Sequence, residues 1–374
     1  MQFRDLQTQY QMLKSDIDTA VLQVMQEGNF ISGRQVAELE EELAQYAGAK
    51  HCIACGNGTD ALSMMMMAWE ISEGDAVFVP DFTFFASAEI VSFEGATPVF
   101  YDVDARTFNA DADSLEEAIL AVFREGKLKP RAIIAVDLFG QLADYDKLEA
   151  IARKYDLLLI EDAAQGFGGR LNNRPACGFG DAATTSFFPA KPLGCYGDGG
   201  AIFINDDKTA EYLRSIRVHG KGSFKYDNVR VGWNSRLDTI QAAVLQVKLK
   251  AFKEYELSDI NKVAAMYTRQ LEGIVRVPVV PSGFYSSWAQ YTIIMDSEEQ
   301  RDALQDHLKA AGIPTMVYYP KPMHMQAVYH GIKAYVECPV ASRLCKTVLS
   351  LPMHPYLKEE DVIKVTEEIK TFLN

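Results

Sequence analysis

The stretch HCIACGNGTDALSMMMMAWEISEGDAVFVPDF, residues 51–82, decides the fold. It sets an apolar run (52–55), a turn with Gly56 and Gly58, an apolar helical segment (58–70) and a second apolar run (76–79) one after another. Short apolar runs bounded by turn signals mark strands buried on both faces. The unit therefore reads strand, turn, helix, strand, which is the repeating element of a parallel sheet.

Downstream the same alternation continues. Apolar runs at 98–101, 132–136 and 157–160 alternate with helical patterns at 84–94, 113–124 and 144–155, and strands follow around 184–188 and 200–204. Upstream, Leu13, Ile17, Ala20, Val21 and Val24 recur at helical spacing, and 36–46 repeats the pattern after a break at 28–33. The expectation is an α/β fold with a mainly parallel central sheet covered on both faces, ligands gathering at the carboxyl ends of its strands. A long helix over 236–256 closes this unit. A strand at 291–295 and helices at 298–311 and 359–372 then predict a smaller α+β domain, dividing the chain into 1–250, N-terminal helices included, and 251–374.

With 374 residues, 48% hydrophobic and 24% charged, the chain has material for a sizeable core. Its formal net charge of -14 repels polyanions, which argues against nucleic acid and anionic membrane as partners. An anionic ligand must then be held by a local cluster of cations or by backbone amides. The apolar run 64–69 is far short of the roughly 20 residues that cross a bilayer. The opening MQFRDLQTQY carries no signal-peptide core, and Cys52, Cys55, Cys177, Cys195, Cys338 and Cys345 are scattered, so a cytoplasmic protein with reduced thiols is expected.

The richest chemistry lies in TSFFPAKPLGCYGDGGA, residues 185–201. Lys191, set among aromatic, proline and glycine residues between two strands, is expected to be partly desolvated, which lowers its pKa and frees the amine as a nucleophile. A Schiff-base lysine needs this, although taken alone a solvated loop lysine is the plainer reading. Asp162 closes an apolar strand at the end where ligands collect. A buried carboxylate there can pair with a protonated pyridine nitrogen, with a turn or helix cap as the alternative. The turn GNGTDAL, 56–62, lets backbone and a helix N-terminus approach a phosphate, though it is no Walker motif and weak evidence by itself. Ser186 adds a hydroxyl five residues before Lys191, and Phe84 a flat face for an aromatic ring, core packing being its rival role.

In this order the residues resemble the DegT/StrS family of sugar-nucleotide aminotransferases, fold-type I enzymes of pyridoxal 5'-phosphate (PLP). The resemblance rests on a series: GNGTDAL at 56–62, PDFTFFASAE at 80–89, EDAAQ at 161–165, SFFPAKPLGCYGDGGA at 186–201 and GWNSRLDTIQAA at 232–243, with FRDLQTQY early and YYPKPMH and LSLPMHPYL late. It implies that Lys191 carries the cofactor as a Schiff base, that Asp162 binds the pyridine nitrogen, and that Gln165 binds neighbouring ring substituents. Thr59, Asp60 and Ser186 would hold the phosphate and Phe84 would stack on the ring. Asn234 would reach the phosphate from a neighbouring subunit, making a homodimer with shared active sites part of the mechanism. Family members with histidine in place of the lysine dehydrate; lysine here implies ping-pong transamination from glutamate, released as 2-oxoglutarate, to a nucleotide-linked keto sugar. Freed from the cofactor, Lys191 would also move the proton in both halves.

A diphosphate-bearing substrate needs local cations in so acidic a chain, and Arg217, His219, Lys221, Lys225, Arg230 and Arg236 form the densest group. Arginine's planar fork suits a diphosphate or a carboxylate; a charged surface loop is the alternative. Within the family the sequence looks most similar to the branch that aminates C3 of UDP-2-acetamido-2-deoxy-3-oxo-glucuronate for bacterial surface polysaccharides such as lipopolysaccharide O-antigen. That resemblance implies Arg236 for the uronate carboxylate and Tyr319 for a sugar or phosphate contact; Lys225 and Arg230 are substrate candidates from the cation group alone. Branches acting on dTDP- or UDP-linked 3-keto- or 4-keto-6-deoxyhexoses share nearly the same motifs. His219, His324 and His354 have no companions at metal-ligand spacing, so no metal is expected. Cys52-x-x-Cys55 lies along a strand and reads as packing, as does Cys195. The rival functions are a PLP-dependent dehydratase, an amino-acid-directed aminotransferase, and a regulator that keeps the cofactor site without turnover. A Rossmann binding protein would need G-x-G-x-x-G, which the 56–62 turn does not have.

Overall fold

The computed structural model describes residues 1–224 and 226–373. Helices α1 (Leu6–Glu27) and α2 (Arg34–Ala47) open it, each closed by a left-handed glycine, Gly28 (φ 67°) and Gly48 (φ 71°). Then come β1 (His51–Cys55), α3 (Gly58–Ala68), β2 (Asp75–Pro80), α4 (Ala86–Phe93), β3 (Thr97–Tyr101), α5 (Ala112–Glu125), β4 (Lys129–Val136), α6 (Tyr145–Tyr155) and β5 (Leu158–Asp162). The two-residue strands β6 (Arg170–Leu171) and β7 (Arg174–Pro175) precede β8 (Ala182–Ser186), β9 (Gly200–Ile204) and α7 (Asp207–Ile216).

Seven strands form one sheet in the order β1, β9, β8, β5, β4, β2, β3. Pairs from β8 to β3 are parallel, whereas β9 runs against both β1 and β8. The sheet is thus mainly parallel, and the reversal of β9 has a simple cause. A parallel return needs a crossover, usually helical, to carry the chain back along the sheet. The 187–199 connection contains no helix and stays at the carboxyl edge.

Alternate residues of each strand enter two separate cores. Ile133 and Ala135 of β4 join the core that holds Leu39 and Leu43 of α2; Ala132, Ile134 and Val136 join the one that holds Met64 and Met65 of α3 and Ile90 of α4. Full burial of an Ile or Leu side chain contributes roughly 1.5–3 kcal/mol. Two-sided burial is why these strands read as unbroken apolar runs.

Helix α8 (Thr239–Ala251) passes through a π-turn (Phe252–Glu256) directly into α9 (Leu257–Leu271). After β10 (Phe284–Tyr285), β11 (Tyr291–Ile294) pairs antiparallel with β12 (Val348–Leu351), flanked by α10 (Glu298–Ala310), α11 (Pro339–Thr347) and α12 (Glu359–Leu373). The helix expected to end at 256 therefore continues, and we propose the π-turn as the hand-over between the 1–250 and 251–374 units. All six cysteines are buried and unbridged. Among the described residues no helix is long and apolar enough to cross a membrane.

His354, 4% exposed, has both ring nitrogens without a hydrogen-bond partner among the described residues. Loss of solvation, helped by the charge of Arg4, holds its pKa down from 6.5 to about 4. A depressed folded-state pKa gives stability that is fully present above 6.5 and lost as pH falls through about 4. That span corresponds to about 3 kcal/mol. His354→Leu should flatten the fall in urea midpoint over this range; a profile parallel to that of the parent chain would refute the assignment.

Candidate active site

Four segments deliver side chains to the carboxyl edge of the sheet. At the end of β1, Asn57 caps α3, its Oδ1 accepting from the Asp60 amide at 2.7 Å. The helix N-terminus, with its partial positive charge, opens on the site. At position 58 a Cβ would lie 2.8 Å from that of Ser186, the last residue of β8, so glycine lets Thr59, Asp60 and Ser186 meet at one corner. Beyond β2 the chain brings Thr83 and Phe84. The Phe84 ring is 54% exposed and stands 6.2 Å from the Tyr319 ring, so core packing is not its role. Strand β5 ends at Asp162, and the connection after β8 carries Lys191.

These residues line one cavity of about 650 Å³, together with Gln165, Thr184 and Tyr319. The Asp162 carboxylate is buried: Oδ2 accepts from the Ser87 hydroxyl at 2.8 Å, itself 3.2 Å from Thr83 Oγ1, and Oδ1 accepts from the Ala164 amide at 3.2 Å. Burial pushes the Asp162 pKa up, while Ser87, the Ala164 amide and the charge of Lys191 pull it back. Burial pushes Lys191 down, and Asp162 opposes that. Each group is thus an expensive ion that the other partly compensates. Gln165 is held at both ends, its Oε1 accepting from the Phe139 amide at 2.8 Å and its Nε2 donating to the Tyr319 hydroxyl at 3.0 Å.

This donor set fits PLP. A partly desolvated amine suits the aldehyde, a buried carboxylate the ring nitrogen, a helix N-terminus with hydroxyls the phosphate, and an exposed aromatic face the ring. Thr184 Oγ1 adds an independent sign: it lines the cavity on a residue 1% exposed and finds no partner among the described residues. A buried hydroxyl without a protein partner beside a cavity calls for water or a ligand to satisfy it.

The model of the DegT/DnrJ/EryC1/StrS aminotransferase family matches residues 11–370. The chain belongs to that family. This aminotransferase is 46% identical over 358 residues to the UDP-2-acetamido-2-deoxy-3-oxo-D-glucuronate aminotransferase of Pseudomonas aeruginosa, with 96% of each chain covered. It is 45% identical over 374 residues to a pleiotropic regulatory protein of Geobacillus stearothermophilus, with 98% and 97% covered. Among solved structures, a DegT DnrJ EryC1 StrS aminotransferase from Brucella abortus matches with a TM-score of 0.97 at 49% identity, covering 100% of this chain and 99% of that one. S. venezuelae DesV, solved in complex with a ketimine intermediate, matches with 0.93 at 34% identity, covering 100% and 98%. The chain is a PLP-dependent sugar-nucleotide aminotransferase.

Not every residue singled out in the aminotransferase sequence reaches the cavity. Tyr319 lines it, whereas Arg230 is exposed and stacks over Tyr212, its guanidinium 4.9 Å from the ring centroid. Arg236 donates to Asn234 Oδ1, and neither lines the cavity of its own chain. Lys225 lies outside the described residues. Between them Ser235, fully buried, donates to Asp60 Oδ2 at 2.5 Å and accepts from the Gly56 amide at 2.9 Å. Residue 235 thus faces Asp60 and Gly56 of its own chain, while its neighbours 234 and 236 are absent from the cavity wall. Arg217 is engaged internally by Glu40 and the Ala54 carbonyl. His324 is tied to buried Asp81, Nδ1 to Oδ2 at 2.6 Å. Sequence reading missed Ser87, Thr184 and Ser235. Ser87 stands four residues after Thr83 at the start of α4, a spacing that could have been noticed; Thr184 carried no signal beyond its place near a strand end.

Proposed function

We propose that this enzyme transfers the amino group of glutamate to C3 of a UDP-linked 3-keto sugar, with UDP-2-acetamido-2-deoxy-3-oxo-glucuronate the substrate. The observation that carries the reading is that Lys191 and Asp162 share one cavity with a phosphate corner; the identity to the Pseudomonas enzyme supports the choice of sugar. PLP, when bound, would supply an electron sink and carry nitrogen between the donor carbon and the acceptor carbon. Lys191 holds the cofactor and, once released, takes up and returns the migrating proton, a task that a lowered pKa suits. Asp162 keeps positive charge on the ring nitrogen, oriented by Ser87 and the Ala164 amide. Thr59, Asp60 and Ser186 hold the phosphate, Phe84 covers the ring, and Gln165 binds its substituents.

Asn234 and Arg236 lie outside their own cavity, which supports a homodimer in which they serve the neighbouring site. There Asn234 meets the phosphate and Arg236 the uronate carboxylate, with Lys225 and Arg230 on the same segment and Tyr319 contributed by the small unit. The enzyme works in the cytoplasm and feeds surface polysaccharide synthesis.

A panel of UDP- and dTDP-linked 3-keto and 4-keto sugars with glutamate, followed by release of 2-oxoglutarate, tests this. Fastest turnover is expected with the UDP-linked 3-keto uronate. Preference for a 6-deoxy sugar would move the chain to a neighbouring branch, and no turnover with any sugar would favour a cofactor-binding regulator; the Geobacillus relative is named a regulatory protein. Arg236→Ala should lower kcat/KM for the uronate by roughly 10- to 100-fold, the loss of one charge-assisted hydrogen bond, and leave the glutamate half-reaction within about twofold. Equal losses in both halves would remove Arg236 from sugar recognition.

A further inference from the structure

We propose that Arg4 is a positioning residue for Lys191, acting from outside the cavity through the lysine's backbone carbonyl; this rests on the reading of Lys191 as the cofactor lysine. Arg4 Nη2 donates to the Lys191 carbonyl at 3.0 Å, across 187 positions of sequence. The Lys191 amide donates to the Phe188 carbonyl at 2.8 Å. One backbone group of the lysine is therefore held by its own turn and the other by the N-terminal segment. The rest of the connection between β8 and β9 does not do this work. Its clamp is the Cys195 amide and Sγ donating to the Phe187 carbonyl, at 2.8 and 3.1 Å, which ties the ends of the turn and touches neither backbone group of Lys191.

Arg4 is itself held in place. Its charge faces that of Glu256, 4% exposed, which accepts from Gln9 Nε2 at 2.8 Å and from the Tyr356 hydroxyl. The neighbouring Phe3 carbonyl accepts from the Met353 amide at 3.1 Å, and the Phe3 ring stands 6.2 Å from that of Tyr318, which lines the cavity. Arg4 Nη1 is buried without a partner among the described residues. A buried guanidinium with an idle nitrogen costs stability, and its other nitrogen is the one that holds the Lys191 carbonyl. A rigid, planar donor anchored on the C-terminal unit fixes the lysine main chain, and the side chain then leaves from a fixed origin.

The test measures how well Lys191 is placed. In the cofactor-loaded enzyme, methylamine competes with Lys191: the new C=N bond forms to the entering nitrogen, the bond to Lys191 breaks, and a proton passes to the departing lysine. The methylamine concentration at half-displacement, read from visible absorbance, reports the effective concentration of the lysine. Arg4→Met should lower that concentration by about tenfold or more, and lower kcat comparably with the sugar KM within about twofold, since misplacement of about 1 Å can cost up to 10²-fold. Arg4→Lys, which keeps the charge opposite Glu256 and one donor, should recover part of both. An unchanged half-displacement concentration in folded Arg4→Met, judged by melting temperature, overturns the proposal. If Arg4→Met does not fold, Arg4→Lys decides, with a drop of about threefold expected and no change overturning it. Borohydride fixation of the parent enzyme's cofactor on a different lysine would instead sink the Lys191 reading, and this proposal with it.

Discussion

Lys191→Ala is expected to cut turnover with every keto sugar by at least about 10³-fold and to remove the visible absorbance of lysine-bound PLP, while the fold survives. The bonds that shape the turn, from the Lys191 amide to Phe188 and from Arg4 to the Lys191 carbonyl, are made by its main chain and remain in the variant. What disappears is the amine, to which we assign by proposal two jobs, holding the cofactor and carrying the proton. Proton transfer alone is worth roughly 10²- to 10⁴-fold. Lys191→Arg makes the sharper comparison, because it keeps a cation beside Asp162 yet cannot present a neutral nitrogen at any useful pH. Both variants should fail alike in 2-oxoglutarate release, and peptide mapping after borohydride reduction should find the cofactor fixed at position 191 only in the parent chain. Near-normal turnover in either variant would remove the lysine from the chemistry.

The parts of the fold that could be read in advance are those where burial is two-sided. Ala132, Ile133, Ile134, Ala135 and Val136 are each at most 5% exposed because helices cover both faces of β4, so the run is apolar without a gap. Helix α7 escaped notice although Asp206 caps it and Ala210, Leu213 and Ile216 are buried at a spacing of three. Strand β12 escaped because its partner β11 lies more than fifty positions earlier and neither run is long enough to announce a pairing. The site divides in the same way. Asp162, Ser186 and Lys191 sit at or just past strand ends, where topology gathers ligands. Arg4 and Ser235 act through contacts of 187 and 175 positions, for which local pattern holds no trace. The 217–236 cations read as one cluster because they are close in sequence, but in space Arg217 is turned inward onto Glu40, while Arg230 and Arg236 lie outside their own cavity.

Asp162→Asn should lower kcat by on the order of 10²- to 10³-fold, the scale on which one pre-placed electrostatic partner acts. Asparagine keeps the shape, and its oxygen can still accept from Ser87, so the change isolates the charge. On the proposed pairing, the ring nitrogen of PLP would then lose its partner and the electron sink would weaken. Lys191 responds too: the carboxylate is what opposes the downward push of burial, so in the cofactor-free protein Lys191 should titrate still lower in Asp162→Asn. The pH dependence of acylation at Lys191 measures this. Stability should move the other way. Burial raises the folded-state pKa of Asp162, so its protonated form adds stability that is fully present below the unfolded value and lost as pH rises through the folded one. At pH 8 the parent apoprotein therefore carries a strained anion, and Asp162→Asn should unfold at an equal or higher urea concentration. A variant that lost activity together with its urea midpoint would mean that Asp162 serves the fold; one that kept its activity would mean that the carboxylate does not face the cofactor.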